Sequence, residues 1–298
     1  MHVADVMTPR EDLVTVSLPG TREDALSYLQ ERDFSSVAVV KPIEDDGGAD
    51  NGGSEGSDEG ESEAFRGLVT RESLINNPDE DQLALLAEEM PTIASDASIE
   101  DLAALMLDEG TRRVPVVDAS LVGLVTVTDI VLAMADGEVS GDTQVGDLAR
   151  ASIHTLYRGT PLTVAERQLA HAGVPYGVVL DDDGRMCGVL TEVDVLDVAR
   201  IVEGEAETGE SVANQDDEWM WEGIKAVGNR YLPTRNVEIP AEPVSEFMSA
   251  DVITLTRTKH AQEAAQRMIS AEIEQIPLVS GGDLAGVIRD VDLLKALR

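Results

Sequence analysis

GLVTVTDI, from Gly123 to Ile130, and GVLTEVDV, from Gly188 to Val195, are two copies of one phrase. The phrase is Gly, two apolar residues, Thr, two variable residues, Asp and an apolar residue. A looser copy reads GLVTRESL at Gly67 to Leu74, and another reads GVIRDVDL at Gly286 to Leu293. Each follows a short β-like run. Recurrence of one phrase along a chain implies recurrence of one structural unit, and with it one type of candidate site.

The second copy lets the whole unit be read. MPTIASDAS, from Met90, is an expected short strand and turn. Ser98 with Asp101 three residues on is a capping-box pattern. Leu102, Leu105 and Met106 then recur at helical spacing, and Gly110 supplies the stop. Arg112 to Asp118 reads as a strand, and Leu121 to Val125 as another. Thr126 to Asp129 opens a second helix running toward Ala135. The predicted class is α/β, with tandem β-α-β-β-α repeats.

The expected division is repeat 1 over 1–77, repeat 2 over 78–140, repeat 3 over 141–202, a linker over 203–242, and repeat 4 over 243–298. Repeat 1 opens its first helix at Thr21 and Asp24, and its strand is SSVAVV. It carries an insert, 44–63, rich in Gly, Ser, Asp and Glu and free of basic residues. Such a composition cannot bury apolar area and is expected to be a disordered loop. Gly-rich or Asp-Gly turns join the adjacent strands of repeats 3 and 4. The linker opens acidic and holds both tryptophans, with Trp221, Ile224 and Val227 on one helical stripe. That stripe suits a helix patching the edge of the repeat core, or a contact for a partner.

Charge narrows the possible roles. Asp plus Glu total 58 against 22 Lys plus Arg, a net charge of −36. Lys41, Lys225, Lys259 and Lys295 are the whole lysine complement. Nucleic-acid phosphates and anionic membranes repel such a chain. The excess acid reads as a solvated surface adapted to high salt, in the manner of halophilic archaea; an acidic surface for a basic partner is the other reading. Cys187 is the one cysteine, so neither an intramolecular disulfide nor a thiolate cluster is available. The histidines, His2, His154, His171 and His260, have no metal-binding spacing. Apolar runs such as Leu121 to Met134 are too short and polar to span a bilayer. With no signal-like N-terminus, a cytoplasmic protein is expected. No P-loop occurs, and the expectation is that the chain is no enzyme.

The strand-helix-strand-strand-helix order, with Thr-x-x-Asp opening the last helix and Pro115 within a Val-Pro-Val-Val strand, resembles the CBS domain family, named for cystathionine β-synthase. The resemblance covers nearly everything except the acidic insert and the Trp segment. It implies two paired modules with pseudo-two-fold symmetry. It also implies clefts that bind adenine nucleotides or S-adenosylmethionine as regulatory ligands, with no required cofactor, and assembly into a homodimer. An unidentified protein partner would receive the signal.

Under that resemblance the motif aspartate accepts hydrogen bonds from ribose hydroxyls, and Thr and the helix start suit a phosphate. The same residues can equally be a capping box with no ligand. In repeat 2 the candidates are Thr126 and Asp129, with Arg112 or Arg113 on phosphate and Val114 and Pro115 lining the adenine slot. In repeat 3 they are Thr191 and Asp194. There Val174, Pro175, Tyr176 and Gly177 form the base slot, and His154 and Arg158 are nearby cations. Repeat 1 keeps Thr70 but has Ser73 in place of Asp, which weakens its ribose site. Repeat 4 keeps Asp292 but has Arg289 in place of Thr, a residue able to strengthen phosphate binding or to fill the site.

Overall fold

The computed structural model describes residues 1–29, 36–42, 63–70, 73–74, 77, 80–150, 152–204 and 234–298. The bulk of the acidic insert and the Trp-containing stretch lie outside the described residues. The chain forms two compact units. The first is Met1–Ala149 with Thr258–Gln275 and Ile288–Arg298, and the second is Arg150–Arg257 with Ile276–Val287.

One sheet pattern recurs. In the first unit β1 is Thr8–Pro9, β2 Thr15–Ser17, β3 Ser36–Pro42 and β4 Glu63–Thr70; β2 runs parallel to β3, and β3 antiparallel to β4. The helix between β2 and β3 is α1, Arg22–Leu29. Glu63, expected within the insert, instead begins β4 and pairs with Arg10 at 2.8 Å. In the next repeat β5 is Arg113–Val117 and β6 Leu121–Thr126, an antiparallel pair. The strand expected from Met90 shrinks to a single parallel bridge, Ile93 with Val116. Helix α2, Ile99–Glu109, is capped by Ser98 and stopped by left-handed Gly110, as its sequence requires. Helix α3, Val127–Asp136, follows β6 directly.

The second unit repeats the order. Its strands β7 (Thr155–Tyr157), β8 (Tyr176–Leu180) and β9 (Met186–Thr191) pair parallel, then antiparallel. Helix α4, Leu162–Ala172, separates β7 from β8, and α5, Glu192–Val198, follows β9. The stretch assigned to a linker, 203–242, takes part in regular structure: β10 (Arg200–Gly204), which starts in the part assigned to repeat 3, and β11 (Thr234–Glu238) form an antiparallel ribbon. Strand β12 is Leu255–Thr256, β13 Gln275–Ser280 and β14 Asp283–Arg289, in one sheet. Helix α6, Ala261–Ala271, and the single turn α7, Asp290–Leu293, belong to the first unit.

The repeats are tied in pairs by exchanged segments. Thr8 pairs with Leu124 of β6, while Glu88 pairs with Leu68 of β4. In the second unit Ser249 pairs with Val189 of β9, and Arg150 with Val287 of β14. The phrase glycine explains itself here. A Cβ on Gly123 would lie 2.7 Å from the Thr8 carbonyl oxygen and 2.6 Å from Met7 Sδ. On Gly67 it would strike the Glu88 carbonyl, and on Gly188 Met248 Sδ. Gly is needed because another repeat's backbone crosses at that point. Ala38, Val40 and Leu68 pack against Leu121 in one core, and Tyr176, Val178 and Val189 against Val287 in another. Both cores are aliphatic apart from Phe65 and Tyr176 among their members.

Candidate functional site

In all four repeats the strand that carries the phrase ends at the position of the motif threonine: Thr70, Thr126, Thr191 and Arg289. In repeat 2, Thr126 donates from its backbone N–H to Asp129 Oδ2 at 2.7 Å and from its hydroxyl to the same oxygen at 2.8 Å. Repeat 3 matches: Thr191 N–H and Oγ1–H both reach Asp194 Oδ2 at 2.7 Å. Each aspartate is half-buried. Each spends one oxygen on the cap, and its Oδ1 has no hydrogen-bond partner among the described residues. Capping alone does not mark a site, because Thr21 makes the same two bonds to Asp24 at the head of α1. There the backbone bond, then the hydroxyl, holds the Asp24 carboxyl below its ordinary range.

The sheet register decides what faces each cap. Arg113 lies directly across from Thr126, and Tyr176 directly across from Thr191. Opposed residues in antiparallel strands are near neighbours, so the repeat-2 motif faces a cation and the repeat-3 motif an aromatic ring. Arg113 is half-buried, and its guanidinium has no hydrogen-bond or ion-pair partner among the described residues. Burial, then the charge of Arg112, pushes its pKa down. Tyr176 is buried in the inter-repeat core.

Arg112 behaves differently from its neighbour. Its carbonyl accepts from Val127 N–H, tying the strand to the head of α3. Its side chain turns to repeat 4, where Nη1 and Nη2 grip Asp290 at 3.1 and 2.6 Å and Nη2 also reaches Glu274 at 3.0 Å. Burial lowers the Arg112 pKa, but the bonds and charges of Asp290 and Glu274 outweigh it and leave the value raised. Val114 and Pro115 are buried in β5, and the Pro115 carbonyl accepts from Ile93 N–H. Val174 packs beneath the helices of repeat 3, on a different core from Tyr176. His154 is exposed at the start of β7, which is the opposite edge strand from β9 and its Thr191. Exposed Arg158 follows the end of β7.

The remaining two motifs are filled by their own chain. In repeat 1, Ser73 donates to the Thr70 carbonyl at 2.9 Å and accepts from Thr70 N–H at 2.9 Å. In repeat 4, Asp292 is 0% exposed. Its Oδ2 takes Arg289 N–H and Nε–H at 3.2 and 3.3 Å, and its Oδ1 takes Lys295 Nζ at 2.8 Å. Lys295 also donates to the Leu148 carbonyl at 3.1 Å. Both oxygens of Asp292 are therefore occupied, and Arg289 is turned onto its own motif.

Asp290, Glu274 and Lys295 are the members of this region that reading the phrase passes over. Asp290 occupies a variable position of the phrase, and its partner Arg112 is 178 residues away. Lys295 alone had a local signal, three residues beyond Asp292. Among the described residues no group of three or more His, Cys, Asp or Glu is placed to hold a metal. No helix among them is long and apolar enough to cross a membrane.

Comparison with known proteins agrees with this architecture. The chain is 24% identical over 295 residues to the uncharacterized protein MJ1404 of Methanocaldococcus jannaschii. That match covers 98% of the chain but 61% of the relative, so the chain spans about three-fifths of that protein's length. The fold superposes over 100% of both chains on an uncharacterized conserved protein from Pyrococcus horikoshii, with a TM-score of 0.67 and 26% identity. Protein MJ1225 from Methanocaldococcus jannaschii, a candidate archaeal homolog of g-AMPK, also superposes over 100% of both chains, with a TM-score of 0.62 and 18% identity. The CBS domain model matches residues 84–136, 145–200 and 244–298. Residues 1–83 lie outside those matches, although their β2–β3–β4 sheet follows the same pattern. With more than half of its length matched by that model, the chain belongs to the CBS domain family.

Proposed function

We propose that the chain is a non-catalytic regulatory protein that binds adenosine-containing ligands, of the AMP, ADP, ATP or S-adenosylmethionine type, between paired repeats. The observation that carries this reading is the half-used carboxylate. Asp129 and Asp194 each hold their cap through Oδ2 and keep Oδ1 for a ribose hydroxyl. Arg113, across from Thr126, is the cation best placed for a phosphate in repeat 2. Tyr176 gives repeat 3 an apolar neighbour for a base and no charge for a phosphate. Asp292 and Ser73 are caps in this reading, and repeats 4 and 1 bind nothing through them. Ligand binding would bias the arrangement of the paired repeats and so signal to a protein partner. A cytoplasmic homodimer working at high salt fits the acidic surface.

Calorimetric titration with AMP, ATP and S-adenosylmethionine in concentrated KCl tests the proposal. Heat of binding for at least one is expected; folded protein that gives none with all three would overturn it.

The filled motifs of repeats 1 and 4 favour one other reading, a dimeric scaffold whose nucleotide sites are vestigial. Replacing Asp129 and Asp194 by Ala separates the two. A scaffold keeps its cellular partner when both carboxylates are gone, whereas a sensor loses its ligand-dependent response.

A further inference from the structure

The cation nearest the repeat-2 motif in sequence is already in use. Both terminal nitrogens of Arg112 are committed to Asp290 in a two-point contact, and one also reaches Glu274. Such a fork-on-fork pair is the strongest geometry open to an arginine. The Asp290 side chain is only 6% exposed, while that of Arg112 is 41% exposed. Breaking the pair therefore strands a buried carboxylate, whose remaining hydrogen bond is from Val291 N–H at 2.7 Å. Removing one partner of a buried pair costs far more than the pair is worth intact. Asp290 is the first residue of α7, whose motif aspartate is Asp292. The backbone N–H of Asp290 donates to the Glu274 carbonyl at 2.8 Å, so both acids that hold Arg112 are fastened to each other.

We propose that Asp290 sets the affinity of the repeat-2 site for anionic ligands, by withholding Arg112 from the phosphate until the ligand displaces the Asp290 carboxylate. This rests on the reading of Asp129 as a ribose contact. The consequence is a preference written in charge. A ligand without phosphate meets only Arg113 and the Asp129 carboxylate, and feels nothing of Asp290. A phosphorylated ligand must compete with Asp290 and Glu274 for the same guanidinium. Where it succeeds, the head of α7 loses its anchor in repeat 2. Occupancy of one repeat is then read by the second helix of another, within a single unit of the protein.

The test compares adenosine with AMP by calorimetry on the full chain, for the wild type, Asp290→Asn, Glu274→Gln, Arg112→Ala and the double variant Arg112→Ala/Asp290→Asn. Asp290→Asn is expected to bind AMP about tenfold tighter and adenosine as the wild type does. Glu274→Gln changes an exposed side chain that leaves the fold intact, and should tighten AMP in the same direction by about twofold. In the Arg112→Ala background the Asp290 change should have no effect on AMP. Unchanged or weaker AMP binding by both Asp290→Asn and Glu274→Gln, with adenosine still bound, overturns the withholding role and leaves the proposed function standing. The absence of binding of either ligand by every variant overturns both. If Asp290→Asn does not fold, Glu274→Gln and Arg112→Ala decide: loss of the AMP-over-adenosine difference in Arg112→Ala with no gain in Glu274→Gln also overturns it.

Discussion

Three motif aspartates look alike in sequence and have different surroundings. Asp292 is buried, with Arg289 and Lys295 on its two oxygens. Asp129 and Asp194 are half-buried with one oxygen unpartnered among the described residues. Replacing Asp292 by Ala should destabilise the protein by about 2–4 kcal/mol, because two cations lose a desolvated partner. Urea denaturation would measure that loss, and ligand affinity in the surviving protein should be unchanged. Asp129→Ala should do the reverse. It removes half of a capping box, about 1 kcal/mol of stability, but weakens adenosyl binding by about tenfold or more. Equal effects of the two substitutions on binding would contradict the division. The phrase announced all three aspartates, and Lys295 stood close enough in sequence to be noticed. The turning of Arg112 away to Asp290 was hidden, because their contact depends on how two repeats dock.

At the level of elements the repeat unit was open to reading, since caps and stops are local. Ser98 and Gly110 bound α2 as their chemistry demands, and Thr126 heads α3. The exchange of segments between repeats was not open to reading. Gly123 was recognisable as part of a phrase, but its cause is the carbonyl of Thr8, over a hundred residues earlier. Substituting Gly188 or Gly123 by Ala should therefore cost about 1–3 kcal/mol through overpacking, and a thermal melt should register it. A neutral outcome at both positions would mean that the crossing backbone can move aside. The strand at Ile93 shortened to a bridge for a related reason: its pairing is fixed by two hydrogen bonds, to Pro115 and from Val117. The β10–β11 ribbon escaped the sequence reading because its two short strands lie far apart in the chain, with no tight-turn signal to join them.

For the molecule as a whole, scarcity of base is as telling as excess of acid. With 22 Lys and Arg against 58 Asp and Glu, repulsion outweighs attraction over most of the surface. The cations Arg112, Arg289, Lys295 and Arg298 nonetheless gather at the docking of repeat 4 helices onto repeat 2, with Arg298 reaching Asp108 at 2.7 Å. Raising KCl from about 0.1 M to about 1 M shortens the screening length from about 10 Å to about 3 Å. Distant repulsion should fade while the close, partly buried pairs persist, so the melting temperature should rise with salt. Scanning calorimetry checks this, and a falling midpoint would show that the ion pairs outweigh the repulsion.

The central claim is that two motif carboxylates, and not four, receive an adenosyl ligand. Native mass spectrometry of the protein titrated with AMP and with S-adenosylmethionine tests it most directly, using the wild type, Asp129→Ala, Asp194→Ala and the double variant. The account predicts bound ligand on the wild type, one fewer on each single variant, and none on the double variant. Ligand retained in full by the double variant, or lost from the wild type altogether, would contradict it.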